Sequence, residues 1–182
     1  MLIGAVKATL DKWGKVDILV NNAGGPPVPG KIAGITEEDW DRTIAVDLKG
    51  SFLCCQRIVP EMVQQGKGKI VNISSMAGIL AEKALNAYGV AKGALILFTK
   101  QLALDYGRDG INANAICPGY INTMLTGTVF ALGGDKLKES IPCGNVKNSA
   151  EIGIGDDTHP SEYHWSLHKR FFGRSLHWGR NS

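Results

Sequence analysis

Three short, largely apolar runs alternate with stretches of helical periodicity: Val16-Asp17-Ile18-Leu19-Val20, Lys69-Ile70-Val71-Asn72-Ile73 and Ile111-Asn112-Ala113-Asn114-Ala115-Ile116. Each run empties into a loop of small or turn-forming residues, as a buried strand does at its carboxyl end. Strands of this kind separated by helices predict a parallel α/β sheet, with ligand-facing groups collected at the carboxyl ends of the strands.

The intervening segments carry their own signals. Ile3, Val6, Leu10 and Trp13 recur at three- and four-residue intervals, which predicts a helix over 2–13 with Gly14 at its C-cap. Thr36 followed by Glu37, Glu38 and Asp39 reads as an N-cap with acids in the first turn, opening a helix through Trp40, Ile44 and Leu48. A second run, from about 52 to 65, presents Phe52, Val59, Met62 and Val63 before Gly66 and Gly68 break it. The stretch 87–106 is helical and apolar on more than one face at Leu95-Ile96-Leu97-Phe98, which predicts burial against the sheet and against a partner.

With 182 residues, 44% of them hydrophobic and 20% charged, the chain has the makings of one globular domain with a real core. The net charge of +3 is scattered, with no Lys/Arg run interleaved with aromatics, which argues against a nucleic-acid surface. Cys54, Cys55, Cys117 and Cys143 form no C-x-x-C pair, so neither a zinc ribbon nor a disulfide scaffold is suggested, and a reducing cytoplasm is expected. The apolar opening at residues 1–6 runs into Lys7 and Asp11, and no segment is long enough to span a membrane.

The chemistry-bearing pieces are Asn21-Asn22-Ala23-Gly24, Asn72-Ile73-Ser74-Ser75, Tyr88-x-x-x-Lys92 and Pro118-Gly119-Tyr120-Ile121-Asn122-Thr123. All lie on or just past strand ends except Tyr88 and Lys92, which start the long helix. Those two are one turn apart and share a face. An ammonium held close to a phenol favours the phenolate, moving its pKa from near 10 toward a value useful for acid/base work. Alone, each piece has an ordinary reading: a Tyr/Lys surface contact, a Ser-Ser turn after a strand, a loop, a Pro-Gly turn.

In order and spacing the four pieces resemble the short-chain dehydrogenase/reductase family, over roughly residues 1–130, with the texture of its 3-oxoacyl-carrier-protein reductase and sugar-alcohol dehydrogenase branches. The resemblance implies an α/β fold, a Rossmann-like doubly wound parallel sheet that is here partial, comprising strands 4 to 6 of the family with their helices. It implies that Tyr88 exchanges the proton, that Lys92 tunes it and holds the ribose, and that Ser75 orients the carbonyl while Ser74 supports the backbone. Asp47 stands where the family has an Asn in a proton relay. Asn22, Ala23 and Gly24, with Tyr88 and Lys92, would line the cofactor ribose; Pro118, Gly119, Ile121 and Thr123 would meet the nicotinamide. The implied cofactor is NAD or NADP, and the implied substrate a small secondary alcohol or ketone, such as a 3-oxoacyl thioester or a sugar alcohol. Helices 51–65 and 87–106 would build a homo-oligomer contact. The alternative is a non-catalytic remnant that keeps only those contact helices.

Two further departures from the pattern shape the expectations. No glycine-rich diphosphate turn precedes Asn21, so residues 1–145 read as an N-terminally truncated catalytic domain with a bare sheet edge. All four histidines and two of the four tryptophans fall in the last 24 residues, so 146–182 read as a divergent, disordered tail, arising from a shifted reading frame or a wrong splice. Resequencing across codons 145–160 tests that origin, and a continuous frame in independent clones would remove it. His164 and His168 are four apart but lack an acidic or Cys partner at ligand spacing, so no metal site is expected.

Overall fold

The computed structural model describes residues 2–122 and two short strands at 147–148 and 165–166. Helix α1 (Leu2–Trp13) leads into strand β1 (Ile18–Asn21), and helices α2 (Glu37–Ile44) and α3 (Gly50–Gln64) precede β2 (Gly68–Ile73). The long helix α4 (Asn86–Tyr106) connects β2 to β3 (Ile111–Cys117). Strands β4 (Ile121–Asn122), β5 (Lys147–Asn148) and β6 (Trp165–Ser166) complete the described elements.

The main sheet has the order β1-β2-β3-β6, its first three strands parallel and in register from Leu19 beside Ile70 to Asn72 beside Ala115. β6 joins β3 antiparallel, and β4 and β5 form a separate parallel pair. The 146–182 segment therefore contributes β5 and β6; its other residues, with His164 and His168, lie outside the described ones.

Burial alternates along β2 and β3, so Ile70, Ile111 and Ala113 share the face that receives the helices. Cys55, Ile58, Val59 and Met62 from α3 and Leu102 from α4 close that core, and Val6 of α1 packs on its margin. On the opposite face Ile18 and Val20 of the edge strand β1 are more than half exposed.

Local chemistry sets most boundaries. The Thr36 hydroxyl accepts from the Asp39 N–H at 3.1 Å and starts α2, and the Gly14 N–H closes α1 on Leu10 O at 2.8 Å. Three details differ from the sequence-based expectation. Trp13 is 63% exposed beneath the Lys12 ammonium instead of joining the apolar face. The buried face of α3 is Ser51, Cys55, Ile58, Val59 and Met62, leaving Phe52 and Val63 partly exposed. Finally, α2 and α3 are one rod, because a π-helical turn over Ala45–Lys49 carries the chain from one to the other. Its wider winding rotates Asp47 inward, where that side chain is buried beside Thr43 and Ser51.

A polar seam runs through the core. The Asn21 amide donates to Asn72 Oδ1 at 2.7 Å, the Asn72 amide donates to the Thr99 hydroxyl at 2.8 Å, and Thr99 donates back to Leu95 O at 2.7 Å. These bonds tie β1 to β2 and β2 to α4 and give the buried amides of Asn21 and Asn72 partners, as burial demands. Asn21 also reaches Cys55 Sγ at 3.4 Å.

Burial pushes the Cys55 thiol from 9.0 up to about 12, opposed by the Asn21 amide and reinforced by Cys54. A raised folded pKa contributes stability that is present below the unfolded value and lost as pH climbs toward the folded one. The urea midpoint is accordingly expected to fall as pH rises from 9.0 toward about 12, and to fall less in Cys55→Ala. Identical profiles for the two proteins would show that this thiol does not govern the alkaline limb.

Candidate active site

The carboxyl ends of β1, β2 and β3 and the first turns of α4 converge on one region. Ser74 and Ser75 follow β2 directly. The Ser74 N–H extends the ladder to Ile116 O at 2.7 Å, and its hydroxyl, buried, donates to Lys92 O at 2.7 Å. Ser75 caps the short 3-10 turn Met76–Gly78, its hydroxyl accepting from the Ala77 N–H at 3.1 Å. That turn lies against the backbone of α4 at Gly89 and Gly93, which fixes the serines relative to the helix that carries Tyr88 and Lys92.

Lys92 is 5% exposed and Asp47 2%, with Lys92 Nζ 3.2 Å from Asp47 Oδ1. The approach is a charge contact without hydrogen-bond alignment, since Oδ1 has no such partner among the described residues. The ammonium donates to Ile73 O at 3.1 Å and lies 5.5 Å from the centre of the Tyr88 ring. Asp47 Oδ2 receives the Gly25 N–H at 3.3 Å, so the carboxylate also holds the loop after β1.

The effect on Tyr88 is opposite to the sequence-based expectation. Burial raises the phenol's pKa above its ordinary value; the Ser75 hydroxyl works against the rise, while the charges of Asp47 and Glu82 add to it. The lysine sits near the ring as expected, but part of its field is cancelled by the carboxylate at its other side.

Of the expected cofactor residues, Asn22, Ala23 and Gly24 form the exposed loop beyond β1, and Gly24 stands directly over Asp47 and Lys92. A Cβ there would be 2.8 Å from Asp47 Oδ1 and 3.4 Å from Lys92 Nζ, so only glycine lets backbone lie this close to the buried pair. Pro118 and Gly119 follow β3, and Pro118 O accepts from the Met76 N–H at 2.9 Å. Ile121 lies on β4, and Thr123 falls outside the described residues.

Two participants carry no signal in the motif spacing. Glu82, in the loop before α4, accepts from the Tyr120 hydroxyl at 2.9 Å, joining that loop to the segment after β3. Burial, reinforced by that carboxylate, pushes the Tyr120 phenol up to about 12. Asn86 donates to Gly30 O, and the Gly30 N–H donates to Ala84 O at 3.0 Å, clasping the same loop to the one after β1. Glu82 and Asn86 are polar residues in a loop-to-helix transition, which offers no period to read.

A parallel sheet ending in this Ser, Tyr and Lys arrangement defines a class, and comparison with known proteins agrees. The short chain dehydrogenase family profile matches residues 2–131, and the chain belongs to the short-chain dehydrogenase/reductase family. The chain is 43% identical over 124 residues to 2-(R)-hydroxypropyl-CoM dehydrogenase of Xanthobacter autotrophicus, covering 67% of this chain and 50% of that protein. It is 35% identical over 147 residues to a 3-oxoacyl-acyl-carrier-protein reductase of Thermotoga maritima, covering 81% and 59%. The structure of a gluconate 5-dehydrogenase of Burkholderia cenocepacia, in complex with NADP and tartrate, superposes with a TM-score of 0.76 at 33% identity, covering 81% of this chain and 58% of that one. The chain thus spans about half the length of the curated relatives it matches. Members of the family are oxidoreductases that work with NAD or NADP.

Proposed function

We propose that this chain provides the proton-transfer side of an NAD- or NADP-dependent oxidoreductase acting on a secondary alcohol or ketone. The observation that carries the reading is the packing of the 3-10 turn after Ser75 onto α4, which brings together Ser75, Tyr88 and Lys92 from two elements. The residues present fit the nicotinamide and ribose end of a dinucleotide, because Gly24 leaves backbone open above a buried ammonium. Asn22, Ala23, Gly24 and Lys92 would hold the ribose, and Pro118, Gly119, Ile121 and Thr123 the nicotinamide, which when bound supplies or accepts the hydride. In the reducing direction Tyr88 gives its proton to the carbonyl oxygen as the C–O π bond becomes an alcohol, and then takes a proton back from solvent. Ser75 donates a hydrogen bond to that oxygen and holds it against the phenol.

The choice between an acyl thioester, as the Thermotoga relative's name implies, and a polyhydroxy acid, as the gluconate enzyme's does, belongs to this proposal. So does the homo-oligomer. A groove of about 280 Å³ between α3 and α4 is lined by Phe52, Val59, Phe98, Leu102 and Tyr106, and Leu97 and Leu104 stand more than half exposed along α4. Apolar faces of this extent on two adjacent helices suit a second copy. Cys54, Cys55 and Cys117 are free thiols, which suits a reducing, cytoplasmic setting, and among the described residues no helix is long and apolar enough to cross a membrane. A division near residue 145 between the catalytic part and the tail is part of the same proposal. The reading as a remnant that keeps only contact helices gains no support, since Ser75, Tyr88 and Lys92 are held in one cluster.

Titrating the chain with NADH and NADPH, by nicotinamide fluorescence alongside circular dichroism, is expected to give saturable binding. A screen of ketones and secondary alcohols is then expected to give turnover. A folded chain that binds neither nucleotide would overturn the proposal.

A further inference from the structure

Asp47 is a fully buried carboxylate brought to the site by the π-helical turn, and its two oxygens face Lys92 and the Gly25 N–H. An ammonium alone acts on a neighbouring phenol as a unit charge. Paired at 3.2 Å with a carboxylate it acts as a short dipole, whose field falls off much faster. Lys92 is also turned to Ile73 O, with its charge over the Tyr88 ring. Among the described residues, the groups facing Tyr88 are Lys92 from its own helix, Asp47 from the π-helical turn, Glu82 from the loop before α4, and the neutral Ser75 hydroxyl after β2. One cation is thus set against two carboxylates.

We propose that Asp47 is a positioning residue that masks Lys92 and keeps the proton on Tyr88, so that the site waits in its carbonyl-reducing form. This rests on the oxidoreductase reading. A protonated phenol is ready to donate to a carbonyl oxygen, whereas oxidising an alcohol first requires the phenolate. The inference therefore assigns a direction, reduction near neutral pH, with oxidation emerging only as the medium becomes alkaline. Burial is the largest cause of the raised pKa of Tyr88, and the Asp47 charge adds to it in the direction that masking requires.

The test is spectroscopic and needs no turnover. Tyr88 is titrated in the 182-residue chain through its phenolate absorbance, with Tyr88→Phe subtracted to assign the transition. Asp47→Asn keeps the shape and removes the charge, and is expected to move the midpoint down while the rise caused by burial remains. Gly24→Ala reaches the same end differently, by driving a methyl group against Asp47 Oδ1 and displacing it from Lys92; it is expected to shift the midpoint in the same direction, and stands in if Asp47→Asn does not fold. An unchanged midpoint in whichever variant folds would overturn the masking role. In the active protein, Asp47→Asn is further expected to raise the ratio of oxidation to reduction rates at neutral pH. A shifted midpoint in a chain that binds no dinucleotide would retain the masking and remove the oxidoreductase. Binding and turnover with an unshifted midpoint would do the reverse.

Discussion

Gly78→Ala is expected to destabilise the chain by about 2–3 kcal/mol, seen as a lower urea midpoint at unchanged slope. A Cβ on Gly78 would lie 2.6 Å from the carbonyl carbon of Lys92, 2.7 Å from the nitrogen of Gly93 and 2.9 Å from Lys92 O. All three are backbone atoms in the middle of a 21-residue helix, so no side chain can swing aside to make room. Either the turn Met76–Gly78 lifts off α4 or the helix gives way, and both break the Ser74 hydrogen bond to Lys92 O. Because the turn carries Ser75 and the helix carries Tyr88 and Lys92, the stability loss is expected to come with a larger loss of activity than the unfolded fraction explains. Gly34→Ala is the control, since a methyl group there meets nothing within 4 Å among the described residues. Equal midpoints for Gly78→Ala and the native chain would show that the turn is not clamped as the geometry requires.

The same contact shows what could and could not be read in the sequence. The strands β2 and β3 and the helices α1 and α4 were legible to within a residue, because largely apolar runs, helical periodicity and cap chemistry act locally. The Thr36 cap is another such feature, complete within four residues. The continuity of α2 and α3 was not legible: Gly50-Ser51 interrupts the apolar pattern, and the side chains that bury there, Thr43, Asp47 and Ser51, are polar. Their burial depends on α4 and the loop after β1, which arrive from elsewhere in the chain.

Asn21 and Asn72 make the same point. In a strand pattern an asparagine reads as solvent-facing, yet these are 8% and 0% exposed because one pairs with the other and Thr99 completes the set from α4. A network spread over three elements leaves no spacing signature. Within the site, Ser75, Tyr88 and Lys92 were singled out by their resemblance to the family's order and spacing, since each piece alone has an ordinary reading. The phenol's pKa is set first by its burial among elements that meet only in the fold, with the charges of Asp47 and Glu82, 41 and 6 residues away in sequence, adding to the rise, and the expected direction of the shift was reversed for that reason.

Removing the phenol oxygen is expected to have the largest effect on chemistry. Tyr88→Phe keeps the ring that packs beside Lys92 and deletes the group proposed to exchange the proton, so the fold should change little while kcat falls by about 10²–10⁴. That range corresponds to about 3–5 kcal/mol of transition-state stabilisation, far more than one neutral hydrogen bond contributes to stability. Ser75→Ala removes an orienting hydrogen bond and leaves the proton donor, and its loss should be smaller. The two losses should also combine to less than their product, because in the proposed reaction Ser75 acts on the same oxygen that Tyr88 protonates. The measurement is kcat and nucleotide affinity for the native protein, both single variants and the double variant, each checked for an unchanged circular dichroism spectrum. If Tyr88→Phe kept its turnover while Ser75→Ala lost it, the proton would have to pass through the serine and solvent, and the burial that raises the phenol's pKa would be a packing consequence with no part in the reaction.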